Sequence, residues 1–540
     1  MNFRIPVLTI CSAILLAACA SAPTPRQTAT EAPADPASSG GKIVEMASLP
    51  GAGGTLLASA LPVTGIEIEN LPPANLWVAL RADFSLPRQP DNQRIQVQRN
   101  WYIKHPNYID RVAERAERYA WHIHQTLVER NMPAEIALLP IVESAYDPFA
   151  YSHGRAAGLW QFIPGTGKRF KLKQDWWYDG RRDVVDSTRA ALDYLQYLHK
   201  HFNNDWLLAL AAYNSGEGTV AKAVRKNRKA GKPTDFWSLK LPRETRAYVP
   251  KLIALAQLVK HPENYGVELP VLPNQAHFKI VDIGGQIDLA VAADLAGIKL
   301  DTLYRLNPGF NQWATSPDGP HRILVPANSA ATFRQAIAQL PPKQRVQWNR
   351  HKIKNGETLS HIAKRYHTST EVLQAANQLN SSTIRVGKHL MVPVSSQSQE
   401  VYKLSAAQRL NRKQNASRKG VKTRHVVSNG DTLWDLSREY KVGVRSLASW
   451  NGMAPGDTLR VGQKLVIWTK QSGNKNLHPG AKARAVYYTV RKGDSLARIS
   501  SRFKVSVRDV QRWNGLSANK YLQPGQRLKL YVDVTRQAGV

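Results

Sequence analysis

At 540 residues the chain is longer than a single domain uses, and at roughly 100–200 residues per domain it has room for three to five. Hydrophobic residues make up 43% and charged residues 21%, which excludes wholesale disorder. The net charge of +34 is unevenly placed: residues 341–540 hold 37 basic and 10 acidic side chains, so the C-terminal third is where nucleic acid, a membrane surface or an acidic polymer would be met.

The two cysteines, Cys11 and Cys19, both lie in the first twenty residues, so the folded body has no disulfide framework, zinc finger or cysteine nucleophile. Arg4 followed by the apolar run 5–18 is too short to span a bilayer and reads as an export signal over 1–18. Its end, Leu16-Ala17-Ala18-Cys19, resembles the lipobox of bacterial lipoproteins. That resemblance implies cleavage before Cys19 and acylation of it. The alternative is an ordinary signal peptide with an incidental cysteine. Ser21 stands near the new N-terminus where inner-membrane lipoproteins carry Asp, so the implied address is the periplasmic face of the outer membrane. That address counts against nucleic acid as a partner. Residues 19–65, rich in Ala, Pro, Ser, Thr and Gly, read as a flexible tether, and 66–105 as an extension that packs on the next domain.

Residues 106–265 are helical by period. The apolar run 134–142 ends at Glu143-Ser144. Such a glutamate either marks the return of a buried helix to water or is partly desolvated. In the second case its pKa rises towards working pH, as a general acid for glycosidic cleavage requires. Three further blocks follow: Gly158-Leu159-Trp160-Gln161-Phe162, Ala212-Tyr213-Asn214-Ser215-Gly216 and Glu244-Thr245-Arg246-Ala247-Tyr248-Val249. The four together, in this order, resemble the family 1 lytic transglycosylases, whose fold is related to goose-type lysozyme.

The resemblance implies a lysozyme-like, mainly α-helical catalytic domain acting on peptidoglycan. Glu143 would protonate the glycosidic oxygen between N-acetylmuramic acid and N-acetylglucosamine, then act as base on the muramic acid 6-hydroxyl, closing a 1,6-anhydro ring without water. Ser152 matches a serine near the acetamido group or that hydroxyl, and Gln161 a glutamine that bonds sugar. Tyr213 matches a tyrosine that positions the acid or substrate, and Asn214 a loop-stabilising residue. Glu244 and Tyr248 match the last block, Glu244 as a cleft residue or a structural ion pair. Ser144 is a further substrate contact or caps the backbone before Asp147-Pro148. Trp160 stands where many relatives carry Met, and its bulk would reshape the groove. Asp147, Asp175, Asp179 and Asp183 are available as a second carboxylate for hydrolysis, with nothing in their spacing to single one out. The aromatic run Trp176-Trp177-Tyr178 reads as core or as a glycan platform.

The basic C-terminal region is a repeat. Gly356-Glu357-Thr358-Leu359, Gly430-Asp431-Thr432-Leu433 and Gly493-Asp494-Ser495-Leu496 open its copies. Asn377, Asn451 and Asn514 each follow at an offset of 21. The predicted strand–helix–helix–strand units span 348–394, 424–468 and 486–531, and they resemble the LysM module, which grips N-acetylglucosamine in cell-wall glycan. The resemblance places a groove between the opening turn and the loop before the last strand. There the backbone of the turn residues faces sugar, and Trp434, Trp450 and Trp513 stack on it or fill the core. A fourth, degenerate copy over 275–330 has Gly285, Asn307 and the strand Arg322-Ile323-Leu324-Val325-Pro326, but lacks the acidic turn residue. Basic linkers over 395–423 and 470–483 read as solvated runs that attract a polymer bearing carboxylates. Deleting 348–540 is expected to cost wall binding and spare activity on soluble fragments.

No His-Glu-x-x-His, P-loop, dinucleotide fingerprint or Gly-x-Ser-x-Gly occurs in its required context, so the reading calls for no metal or cofactor. The sequence thus points to an α-helical enzyme domain with small α+β wall-binding modules, a lytic transglycosylase on a lipid anchor. The alternatives are a hydrolytic muramidase, a catalytically silent wall-binding scaffold and a nucleic-acid binder motivated by charge alone. Protein regulators are not legible.

Overall fold

The computed structural model describes residues 74–469 and 483–533, apart from 492, 504, 506, 515 and 517–521. The leader over 1–18, Cys19, the tether over 19–65, the start of the extension and the stretch 470–482 lie outside the described residues. Among the described residues no helix is long and apolar enough to cross a membrane.

The extension folds as α1 (Leu76–Ala82) and α2 (Gln93–Ile103), each started by an asparagine whose side chain accepts the first free amides. The helical body continues with α3 (Pro106–Ala116), α4 (Ala120–Glu129), a 3-10 turn over Ala134–Leu138, α5 (Leu139–Ser144) and α6 (Pro164–Arg169). It closes with α7 (Val184–His201), α8 (Trp206–Ser215), α9 (Glu217–Lys229) and α10 (Arg243–Lys260). Helix α8 is apolar around its whole circumference, with Leu207 to Ala212 all buried, so it runs through the core rather than along a face. Helix α10 packs against α2, α5 and α8. Gly216, at φ +84°, ends α8 and starts α9 in a conformation that side chains with a Cβ rarely adopt.

The degenerate copy is fused to this body. β1 (Phe278–Asp282) pairs antiparallel with β2 (Arg322–Pro326), with α11 (Leu289–Leu295) and α12 (Leu300–Leu306) between them. Helices α13 (Ala330–Gln339), packed on β1, and α14 (Pro342–Arg345) follow. Tyr119 donates to the Arg305 carbonyl at 2.7 Å, and Arg322 pairs with Asp183 at 2.8 Å. Trp177 and Tyr178 are buried against Trp313 and Phe310, so both serve as core; Trp176 is half-buried beside them.

Three more units follow. They are β3 (Gln347–Lys352), α15 (Leu359–Arg365), α16 (Thr370–Ala376) and β4 (His389–Val394); then, after α17 (Ala406–Asn415), β5 (Val421–Val426), α18 (Leu433–Glu439), α19 (Val444–Trp450) and β6 (Lys464–Thr469). The last is β7 (Ala483–Thr489), α20 (Leu496–Arg502), α21 (Val507–Trp513) and β8 (Arg527–Asp533). In each unit the two strands pair around the two helices, over a separate small core. The repeated asparagine has a single structural role in all four copies. Its amide donates to the carbonyl four residues back and to the closing strand, and its oxygen accepts an amide of that strand, at 2.7–2.9 Å for Asn307, Asn377, Asn451 and Asn514.

Residues 395–418 depart from the expectation of a solvated linker. Tyr402 is fully buried, and its hydroxyl meets both carboxylate oxygens of Asp288 at 2.9 Å. Asp288 also accepts the Ser396 amide at 2.8 Å, and the Ala406 amide donates to the Asn311 carbonyl at 2.7 Å. Two apolar residues, Tyr402 and Leu404, anchor a polar stretch, and so sparse a signal has no periodicity to read. The deletion of 348–540 would strip Tyr402 from this core, so it is not a clean separation of modules.

Candidate active site

Glu143 is the penultimate residue of α5, and the chain reverses immediately after it through Ala145 and Tyr146, both left-handed at φ 51° and 55°. Glu143 is half-buried, and the desolvation of its carboxyl pushes its pKa up to about 7. Tyr248, on α10, donates a hydrogen bond to Glu143 Oε1, which opposes the rise. The charge of Glu244 adds to it, and that of Lys251 opposes it. Glu244, Tyr248 and Lys251 recur at four and three residues along α10 and so share one face. Burial raises the Glu244 carboxyl and lowers the Lys251 ammonium. Sequence reasoning overlooked Lys251; its place one turn beyond Tyr248 was the available signal.

The other predicted residues divide by what their side chains touch. Tyr213, in the last turn of α8, donates to the Trp160 carbonyl at 2.9 Å, and burial, then the charge of Glu143, pushes its phenol well up. Asn214 accepts from Thr245 at 2.8 Å, tying α8 to α10. Ser144, the last residue of α5, donates its hydroxyl to the Leu159 carbonyl at 2.9 Å and to the Pro140 carbonyl, four residues back in the helix, at 3.2 Å. Ser152 Oγ accepts the amides of Gly154 and Ala156 at 3.2 and 3.0 Å, holding its own turn and keeping its proton free to donate. Gln161, at φ 50°, donates to the Gly158 carbonyl at 2.8 Å. Gly158 itself has φ +83°, and a Cβ there would stand 2.0 Å from the Arg181 carbonyl oxygen, which is why this block carries glycine.

Trp160 differs from the expectation that it shapes the groove. Its side chain is fully buried and its indole donates to Thr188 at 3.0 Å, so it is core. The four aspartates are occupied. Asp147 accepts the Phe149 amide, and Asp175 accepts the Tyr178 amide. Asp179 holds Arg181 and Arg182, while Asp183 caps α7 and holds Arg322.

In the three repeats the opening tetrads do structural work through their side chains. The acid accepts the amide three residues back and an aromatic or imidazole donor six residues back: Glu357 from Lys354 and His351, Asp431 from Ser428 and His425, Asp494 from Arg491 and Tyr488. The Lys354 amide and His351 hold the Glu357 carboxyl down at about 2. Thr358, Thr432 and Ser495 cap the first helix, and Leu359 and Leu433 are buried while Leu496 packs against its module's core. Gly356, Gly430 and Gly493 have φ between 76° and 88°. In the degenerate copy the acid's place is taken by buried Ile287. Trp450 and Trp513 pack against their module cores, whereas Trp434 is 56% exposed with the Arg438 guanidinium 4.5 Å above its ring.

Comparison with known proteins matches residues 122–236 to the Transglycosylase SLT domain family and 277–341 to the LysM-like domain of the lytic transglycosylase MltD. The LysM domain family matches 351–393, 425–468 and 488–530. The chain is similar to the membrane-bound lytic murein transglycosylase D of Escherichia coli, 36% identical over 461 residues that cover 85% of this chain and 86% of that protein. It is also similar to an autolysin of Enterococcus faecalis, 32% identical over 31% of this chain and 22% of that one. Among solved structures, the lytic transglycosylase Slt of Pseudomonas aeruginosa is matched at 25% identity over 28% of this chain and 25% of that one, with a TM-score of 0.22.

Proposed function

The chain belongs to the lytic transglycosylase family that includes the membrane-bound lytic murein transglycosylase D, and from that membership we propose that Glu143 is its general acid and base. The chain is a peptidoglycan lytic transglycosylase carrying LysM peptidoglycan-binding repeats, and it is associated with the cell envelope. The observation that carries the assignment of Glu143 is its carboxyl, pushed up to about 7 by burial and held by Tyr248. A carboxylic acid still protonated near neutral pH can hand its proton to the glycosidic oxygen as the bond to the muramic acid C1 breaks. The resulting carboxylate then takes the proton of the muramic acid 6-hydroxyl, whose oxygen closes on C1. The nucleophile belongs to the substrate itself, so no water has to be bound and oriented, and effective molarity supplies much of the rate.

Tyr248 orients the acid, Ser152 has a free hydroxyl to donate to the sugar, and Tyr213 braces the wall at Trp160. The experiment is mass spectrometry of fragments released from purified sacculi. Fragments ending in 1,6-anhydromuramic acid, lighter by one water than the reducing sugar, are expected. Reducing ends would instead make the enzyme a hydrolase, with Glu244, whose charge already acts on Glu143, as its second carboxylate.

The exposed Trp434 is the stacking surface of the second repeat, beside the turn over 428–432. Trp434→Ala should weaken sacculus binding severalfold, since an aromatic platform contributes about 1 kcal/mol. With the side chain already 56% exposed, the melting temperature should stay put. A fall in melting temperature to match the lost binding would assign Trp434 to the core instead.

Cys19 becomes the acylated N-terminus and holds the enzyme on the periplasmic face of the outer membrane. Cys19→Ser should move the protein from the membrane fraction to the soluble periplasmic fraction on immunoblots. Retention in the membrane would remove the lipid anchor from the account.

A further inference from the structure

The turn that carries Ser152 is tied to the second LysM unit. Arg155 closes that turn, its amide donating to the Ser152 carbonyl at 3.1 Å, so the two Cα atoms are within about 7 Å of each other. The buried Arg181 guanidinium braces the turn from below, donating to the Arg155 carbonyl at 2.7 Å. From above, the Arg155 guanidinium pairs with the Asp457 carboxylate and donates to the Gly456 carbonyl, both in the loop between α19 and β6. Asp457 fixes that loop too, accepting the Ala454 amide at 2.7 Å.

A second attachment runs through α17. At its start Arg409 lies 4.7 Å over the ring of Phe149, on the loop that follows Glu143. At its end Gln414 donates to Asn451 Oδ1 at 3.0 Å and to the Lys464 carbonyl at 3.3 Å. Leu410 Cδ1 packs so close to Gly452 that a Cβ there would be 3.4 Å away. While docked in this way, the module keeps its opening turn 428–430 and Trp434 exposed. The acid is peculiar to this repeat: the corresponding loops, residues 378–386 and 515–524, contain no Asp or Glu, and the latter contains Lys520.

We propose that the second LysM unit is a docked extension of the catalytic cleft, in which one glycan strand is held in fixed register by its exposed turn and by the Ser152 wall at once. The inference rests on the cleft assignment above. Docking removes the linker freedom that would otherwise dilute a tethered module, so a strand bound at one end is already presented at the other. The substrate feature it reads is strand length, because a fragment too short to reach both surfaces gains nothing.

The test is a charge swap in the full chain. Arg155→Glu and Asp457→Arg should each speed amide hydrogen exchange in 406–415 and 452–457 and raise KM for long glycan strands about fivefold, with kcat held. Fivefold corresponds to about 1 kcal/mol, within reach of turning an exposed attraction into a repulsion. The double variant, with the pair reversed, should return both readouts to within twofold of wild type. Both side chains keep solvent contact, and unchanged exchange in α7 and α8 would show that each variant folds. Unchanged exchange at 452–457 in the single variants would overturn the docking. Faster exchange with unchanged KM would overturn its role in substrate binding. Wild-type product analysis keeps the two readings apart, because loss of anhydro ends would remove the catalytic assignment while the exchange data still report on docking.

Discussion

Glu143→Gln is expected to lower the release of anhydromuramic ends from sacculi by at least about 10²-fold, the range in which a positioned general acid and base contributes. Gln preserves shape and can still accept from Tyr248, but it has no proton to deliver. Wild-type activity should fall as pH rises through about 7, because the acid form is the one that starts the reaction. Glu244→Gln removes a neighbouring negative charge and should move that limb to lower pH. Tyr248→Phe removes a bond to the carboxylate and should move it to higher pH. A limb that ignores both changes would assign it to another group. Stability follows with the opposite preference for the variant. The Glu143 carboxyl is raised from 4.5, so its contribution to stability is complete below about 4.5 and is lost as pH rises to about 7. The glutamine variant should therefore melt with wild type at pH 4 and above it at pH 8, by up to something on the order of 3 kcal/mol. Equal melting at both values would mean that the carboxyl is solvated in the folded enzyme.

Asn451→Ala is expected to unfold the second repeat while leaving the catalytic body folded. Asn451 is 3% exposed and binds the Leu447 carbonyl and both backbone groups of Val466. Alanine abandons those buried groups at about 1–3 kcal/mol each. A module this small, with a core of Val427, Leu433, Leu436, Leu447, Ala448, Leu465 and Ile467, has only a few kcal/mol to lose. Hydrogen exchange should show protection lost across 424–467 and kept in α7 and α8, together with weaker sacculus binding. Protection retained across the module would show that water or Gln414 replaces the asparagine.

The repeats were legible because each is a local pattern. The Asn landmark is visible as a spacing of 21 residues, yet its meaning as a clamp on the closing strand appears only once that strand is in place. The resemblance puts the backbone of each opening turn against sugar and leaves the task of its acid open. In the structure its carboxylate is committed to the turn itself, since a backbone amide and a donor six residues back both need an acceptor there. Trp160 illustrates the reverse limit: a large aromatic in a catalytic block says nothing of which way it points, and here it points into the core.

The sequence by itself determined the order of modules, the lysozyme-like enzyme class and the glutamate at the end of an apolar run. Composition and short-range spacing carry the modules and the glutamate, and the resemblance of the four ordered blocks to a known family carries the enzyme class. Only the tertiary structure decided that Tyr248, 105 residues on, holds that glutamate, and that Glu244 and Lys251 set opposing charges around it. It also decided that 395–418 is a strap rather than a linker, and that the second repeat leans on the Ser152 turn through Arg155 and Asp457. The physical reason is common to these cases. Desolvation and charge pairing depend on everything that surrounds a group in space, and contacts between residues far apart in the chain leave no mark on local periodicity.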